Sequence, residues 1–92
     1  MNPPSDKNKK NIQELLEHSK FYFLNGKYEE ALKVLRKLLK ICPDNPDVYY
    51  NLGIIYESKN QIDTAVQMYT KALELSPEHK FAREHLDKLV GL

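Results

Sequence analysis

Apolar side chains recur along this chain at steps of three and four. Tyr49, Leu52 and Tyr56 make one such row; Ala65, Tyr69 and Ala72 make another, widened by Val66, Met68 and Leu73. That spacing puts side chains on one face of an α-helix. Alternation of period two is absent, and no Asn-Gly or Asp-Gly hairpin turn joins two alternating runs, so strands are not expected. Helix ends are marked as well. Asn25-Gly26 supplies a left-handed C-terminal cap, and Asn60 does the same in the next hairpin, with more strain because it carries a Cβ. Asn45-Pro46 reads as an N-cap followed by proline in the first turn, and Ser76-Pro77 reads as a second copy of that device. Together these predict five helices, over 6–24 (or 12–24), 28–41, 46–59, 62–75 and 78–90.

The pattern repeats. A shift of 34 residues carries Tyr22 onto Tyr56, Ala31 onto Ala65 and Pro43 onto Pro77. It also carries Leu15 onto Tyr49, Ser19 onto Gly53, Lys37 onto Lys71 and Leu38 onto Ala72, so large residues mostly meet large and small meet small. Self-similarity at this period is the mark of stacked helical hairpins. Each hairpin leaves one apolar face open, which the next unit buries. Small residues at 19, 31, 53 and 65 are expected where the two helices of a hairpin approach most closely, with Leu35 and Tyr69 filling the space beside them. Ala82, Leu86, Leu89 and Val90 form one stripe able to cover the last open face.

Tyr49-x2-Leu52-Gly53-x2-Tyr56, then Ala65, Tyr69, Ala72 and Pro77, resembles the tetratricopeptide repeat almost in full, with Tyr49 where tryptophan is commonest. Residues 12–45 resemble it more loosely through Leu15, Ser19, Tyr22, Gly26, Tyr28, Ala31 and Pro43; His18 replaces the usual leucine and Leu38 the usual alanine. The resemblance implies an all-α, right-handed superhelical solenoid of antiparallel helix hairpins. Its parts are a polar, basic lead-in (1–11) and a domain over 12–92, made of repeats 12–45 and 46–79 and a capping helix 80–92. Two repeats and a cap fall short of the roughly three units such arrays need. Self-association, a longer parent protein, or a partner that completes the fold would each make up the shortfall.

Charge changes the picture little. The net charge of +1 exerts no global pull on nucleic acid or an anionic surface. Residues 46–79 are the exception, with two basic against five acidic side chains, or −3. No stretch is apolar enough to cross a bilayer, and nothing near the N-terminus resembles a secretory signal. With one cysteine, Cys42, no internal disulfide can form, and the expected compartment is the reducing cytoplasm.

Chemistry-bearing constellations are missing from the sequence. Cys42 stands beside Pro43 in a turn with no histidine placed to activate it. His18, His79 and His85 lack the spacing of a zinc helix; His18 is expected to pack within the first hairpin, His79 and His85 to lie at the surface. The three glycines are too scattered for a phosphate loop. We therefore expect neither an enzyme nor a cofactor or metal site. Lys33, Arg36, Lys37 and Lys40 share one side of the second helix and read as its solvated face, with a nucleic-acid or acidic-partner patch as the minor alternative.

In the family that this chain resembles, the first helix of each pair lines a concave groove in which ligands lie. Carried over slot by slot, the groove residues are Leu16, Lys20 and Phe23 from the first helix, beside Gln13 and Leu24. The third helix supplies Tyr50, Asn51, Ile54 and Glu57, beside Asp47, and the cap supplies Phe81 and His85, beside Glu84 and Lys88. Leu16, Phe23, Tyr50, Ile54 and Phe81 would together make an exposed apolar patch, the composition of an interface. The clamp for chaperone C-terminal carboxylates is not matched: of its slots, Leu16, Lys20, Asn51, Phe81 and His85, only Asn51 fits. The expectation is a scaffold or adaptor that binds a protein or peptide partner along the groove, or alternatively a homo-oligomerising structural unit.

Overall fold

In a computed structural model, residues 5–91 are described, with side chains from residue 10 onward. Five helices follow one another: α1 (Ser5–Leu24), α2 (Tyr28–Ile41), α3 (Pro46–Ser58), α4 (Ile62–Leu75) and α5 (Lys80–Val90). Helices α1 with α2 and α3 with α4 form antiparallel hairpins; α3 stacks on α2 and α5 on α4, while α1 meets α3 only briefly. Among the described residues there is no strand, and no helix is long and apolar enough to cross a membrane. Helix α1 takes in residues 5–11, the segment expected as a lead-in; residues 1–4 of that segment lie outside the described residues.

The turns follow from single residues. Gly26 and Asn60 occupy the left-handed region, at φ 74° and 62°, and reverse the chain after α1 and α3. The Asn45 side chain accepts the Asp47 N–H at 2.9 Å and Pro46 opens α3, an N-cap with proline where no donor is needed. The expected second copy of this device is not formed. Ser76 ends α4, Pro77 sits in the turn, and the N-cap of α5 is His79, whose Nδ1 accepts the Ala82 N–H at 3.1 Å. A shorter α5, beginning at 80 and not 78, follows from that.

Two core clusters meet between the repeats. The first joins Leu16, Ala31, Leu32, Leu35, Leu38, Val48, Leu52 and Ile55; the second joins Ala65, Tyr69, Ala72, Leu73 and Ala82. Each leucine or isoleucine fully withdrawn from water contributes roughly 1.5–3 kcal/mol. Ser19 is buried among them, its hydroxyl donating to the Leu16 carbonyl at 2.7 Å. On α5, Ala82 is buried and Leu86 and Leu89 pack on the second cluster, but Val90 stays half exposed and does not join the covering stripe.

The tightest approach lies between α3 and α4. A Cβ placed on Gly53 would stand 2.5–2.9 Å from three ring atoms of Tyr69, so the missing side chain leaves room for that ring. Tyr69 is fully buried and cannot swing away. Substituting Gly53→Ala should therefore destabilise the fold by about 1–3 kcal/mol through overpacking, despite the gain of about 1 kcal/mol in helix propensity. Urea unfolding of G53A, and of G53A with Tyr69→Leu, checks this: the second change should recover part of the loss. Likewise, His79→Ala should lower stability by about 1 kcal/mol and His79→Asn by less, with amide exchange at Ala82 reporting the lost cap.

Candidate functional site

The face formed by α1, α3 and α5 carries a continuous groove. At its α1/α3 end, Ser19, Lys20, Phe23, Leu24, Tyr50, Asn51, Ile54 and Ile55 enclose an apolar cleft of about 190 Å³. That volume is below the roughly 300 Å³ of a small-molecule site and suits an anchoring side chain. The groove continues through Lys20, Tyr50 and Asn51 into a more polar stretch bounded by Gln13, Leu16, Glu17, Asp47, His79 and Phe81.

Placement of the expected site residues is mixed. Lys20, Phe23, Tyr50, Asn51 and Ile54 line the cleft, and Phe81, 60% exposed, lines the polar stretch. Leu16 is corrected: only 8% exposed, it forms the floor of the groove and belongs to the first core cluster. Its neighbour Leu15, expected in the packing stripe, is half-buried and lines a depression on the outer end of the first hairpin with His18, Phe21 and Ile41. Leu15 and Tyr22 still pack on the first core cluster with buried Ser19 between them, so the packing stripe of α1 is widened to take in Leu16. His18 is exposed and not packed in the hairpin, because among the described residues no helix lies on that side of α1.

Glu57 and His85 form one network with a residue not expected at the site. The Tyr69 hydroxyl donates to Glu57 Oε1 at 2.7 Å; His85 Nδ1 lies 3.2 Å from the same oxygen and 3.4 Å from the Tyr69 hydroxyl. An ionised carboxylate can only accept, so His85 presents its Nδ1–H here. Tyr50 covers this network, with ring centroids 6.0 Å from Tyr69, 5.7 Å from His85, 5.1 Å from His79 and 6.2 Å from Phe81. His79, expected at the surface, is largely enclosed: with Nδ1 occupied as the helix cap, its Nε2–H donates to Asp47 Oδ1 at 2.9 Å. Sequence reasoning missed His79 because histidine is a weak capping signal beside Ser76-Pro77.

Electrostatics follow from these contacts. Burial, then the hydrogen bond to Glu57 and its charge, push the Tyr69 phenol far above the ordinary tyrosine range. Tyr50 is raised by burial and by the negative charges of Glu57 and Glu84. Away from the groove, the Cys42 thiol donates to the Leu38 carbonyl at 3.2 Å and burial raises its pKa, so it stays protonated. Lys33, Arg36, Lys37 and Lys40 are all exposed on α2, which lies behind α1 and α3. Among the described residues no three His, Cys, Asp or Glu side chains gather closely enough to hold a metal ion.

Comparison with known proteins agrees with this geometry. A TPR repeat profile matches residues 20–60 and a tetratricopeptide repeat profile matches 46–79, together spanning 20–79. The chain belongs to the tetratricopeptide repeat family. It is 40% identical over 58 residues to the mitochondrial import receptor subunit TOM70 of Saccharomyces cerevisiae, covering 63% of this chain and 9% of that protein. It is 31% identical over 70 residues to anaphase-promoting complex subunit 3 of Dictyostelium discoideum, covering 75% of this chain and 7% of that protein. The chain thus spans about a tenth or less of the length of these relatives. The crystal structure of a tetratricopeptide repeat domain protein from Salinibacter ruber has the same fold, with a TM-score of 0.76 at 22% identity over 88% of this chain and 97% of that one. The repeats and these relatives support a protein–protein interaction module as the general class.

The tyrosine environments set an alkaline limit on stability. Free tyrosine ionises near its ordinary pKa of 10.0, whereas folded Tyr69 and Tyr50 keep their protons to higher pH. Above pH 10 the unfolded chain therefore binds fewer protons than the folded one, and stability falls as pH rises. Urea midpoints measured from roughly pH 9 to 11 should fall, and Tyr69→Phe should flatten that fall.

Proposed function

We propose that the chain is an adaptor or scaffold module that grips an extended or helical peptide of a partner protein along the α1/α3/α5 groove, and that it catalyses nothing itself. The observation that carries this reading is the apolar cleft at the head of the groove, flanked by side chains a lone surface helix has no reason to expose: Leu24 at 79% and Phe81 at 60%. Aromatic and aliphatic anchors inside a polar rim are the composition of binding hot spots. Two of the relatives are by name subunits, of an import receptor and of the anaphase-promoting complex, which suits a chain that works by holding another. The reducing cytoplasm is the compartment we assign it.

A second reading rests on a different surface. Phe21 and Ile41 are 61% and 49% exposed beside Leu15 and His18, at the outer end of the first hairpin. Burying that end against another copy would make a homo-oligomer.

Exposed positions give the cleanest test, since Tyr50 and Ile54 are half-buried and pack against the second core cluster. Leu24→Ser and Phe81→Ser should leave helicity and thermal midpoint nearly unchanged, as surface substitutions do, within about 0.5 kcal/mol, while weakening partner capture at least tenfold. Unchanged capture by both variants would move the binding surface away from the groove. Light scattering across a wide concentration range separates the second reading: a mass that rises with concentration and returns to the monomer in Phe21→Ser supports self-association through the hairpin end.

A further inference from the structure

Carboxylates lie along the groove beside its apolar cleft, whose own lining holds none, and that chemistry selects its occupant. Its carboxylates come from all three helices that build it. Glu17 projects from α1 and Asp47 from α3 into the polar stretch. Glu57 on α3 and Glu84 on α5 lie near enough for their negative charges to add to burial in raising the Tyr50 pKa. Glu17 and Asp47, the latter held by His79, are the carboxylates lining the two stretches of groove, with Lys20 as the one lysine or arginine beside them. The Glu57 side chain is 27% exposed, and its hydrogen bonds among the described residues, with Tyr69 and His85, use Oε1.

Helix direction adds to the charge. Phe23 and Leu24 end α1, and Ile54 and Glu57 lie in the last turns of α3, so the apolar cleft opens at two helix C-termini. These are the negative ends of the helix dipoles, where cations are favoured. Phe81 lines the polar stretch with Asp47 and His79, an exposed ring 6.2 Å from Tyr50 that offers a face for a cation.

Deepening the groove reading, and resting on it, we infer that the partner is a basic peptide segment. One aliphatic or aromatic anchor enters the Phe23–Ile54 cleft, and flanking lysines or arginines meet Glu57 and Glu84 on one side and Glu17 on the other.

Two sets of labelled synthetic peptides test this, identical in apolar anchors and differing only in Lys or Glu at the flanking positions, with fluorescence anisotropy as readout. The lysine set should bind at least tenfold more tightly than the glutamate set, and the difference should shrink as salt rises from roughly 0.05 to 0.5 M. Glu17 and Glu84 are exposed, so Glu17→Lys with Glu84→Lys should fold normally and reverse the preference. Equal binding of the two sets, or a preference for glutamate, overturns the basic-partner inference and leaves the groove intact as a binding site. Binding of neither set, or binding that Leu24→Ser and Phe81→Ser do not weaken, overturns the groove reading itself. A mass that doubles with concentration and reverts in Leu24→Ser would assign the groove to a second copy and overturn the inference as well.

Discussion

Everything on the concave face depends on the seat of one ring. Tyr69 reaches the α3 backbone because Gly53 has no side chain, and in that position it does three things at once. It fills the second core cluster, it supports Tyr50 from beneath, and it holds Glu57 by its hydroxyl, with His85 of the cap drawn to the same oxygen. Packing of the hairpin and shape of the groove wall are therefore one arrangement. A buried phenol without a partner would be costly, whereas here its polar end meets a carboxylate at the one edge of the core that reaches solvent.

The first repeat solves the same problem differently. The 34-residue shift carries Leu35 onto Tyr69 and Phe23 onto Glu57, so the slots that form a polar network in the second repeat are apolar in the first. Leu35 needs no hydroxyl acceptor and Phe23 supplies none; Phe23 packs against Tyr28 and the first core cluster instead. The groove inherits this asymmetry, since Phe23 ends α1 with an apolar ring in the cleft where the matching slot of α3 carries Glu57. Its ability to hold an apolar anchor beside a cation comes from the two repeats having diverged at these slots. The same shift carries His18 onto Leu52. Leu52 is buried in the first cluster with the leucines of α2, while His18, with no described helix beside it, tolerates a polar ring.

Much of the fold was legible because its signals are local and repeated. Gly26, Asn60 and Asn45-Pro46 mark helix ends through backbone preferences that do not depend on distant contacts. Ser76-Pro77 misled because Ser-Pro suits either side of a turn, and the choice fell to His79, which finds Asp47 32 residues away. At the site, Lys20, Phe23, Tyr50, Asn51, Ile54 and Phe81 were legible as one face of successive helices. Leu16 was legible as a groove position but not as a buried one, since a helical wheel cannot say whether a position at the border of two faces is overlapped by the next hairpin.

The sequence by itself determined the helices, their period, the small residues where they cross, and the family, because periodicity and turn chemistry act within a few residues of chain. Only the tertiary structure decided which way Tyr69 points, that Glu57 and His85 belong to one network, and that His79 reaches Asp47 beside the groove. Those facts join residues 12 to 32 positions apart, and only the closing of a hairpin and its stacking against the cap bring them within reach.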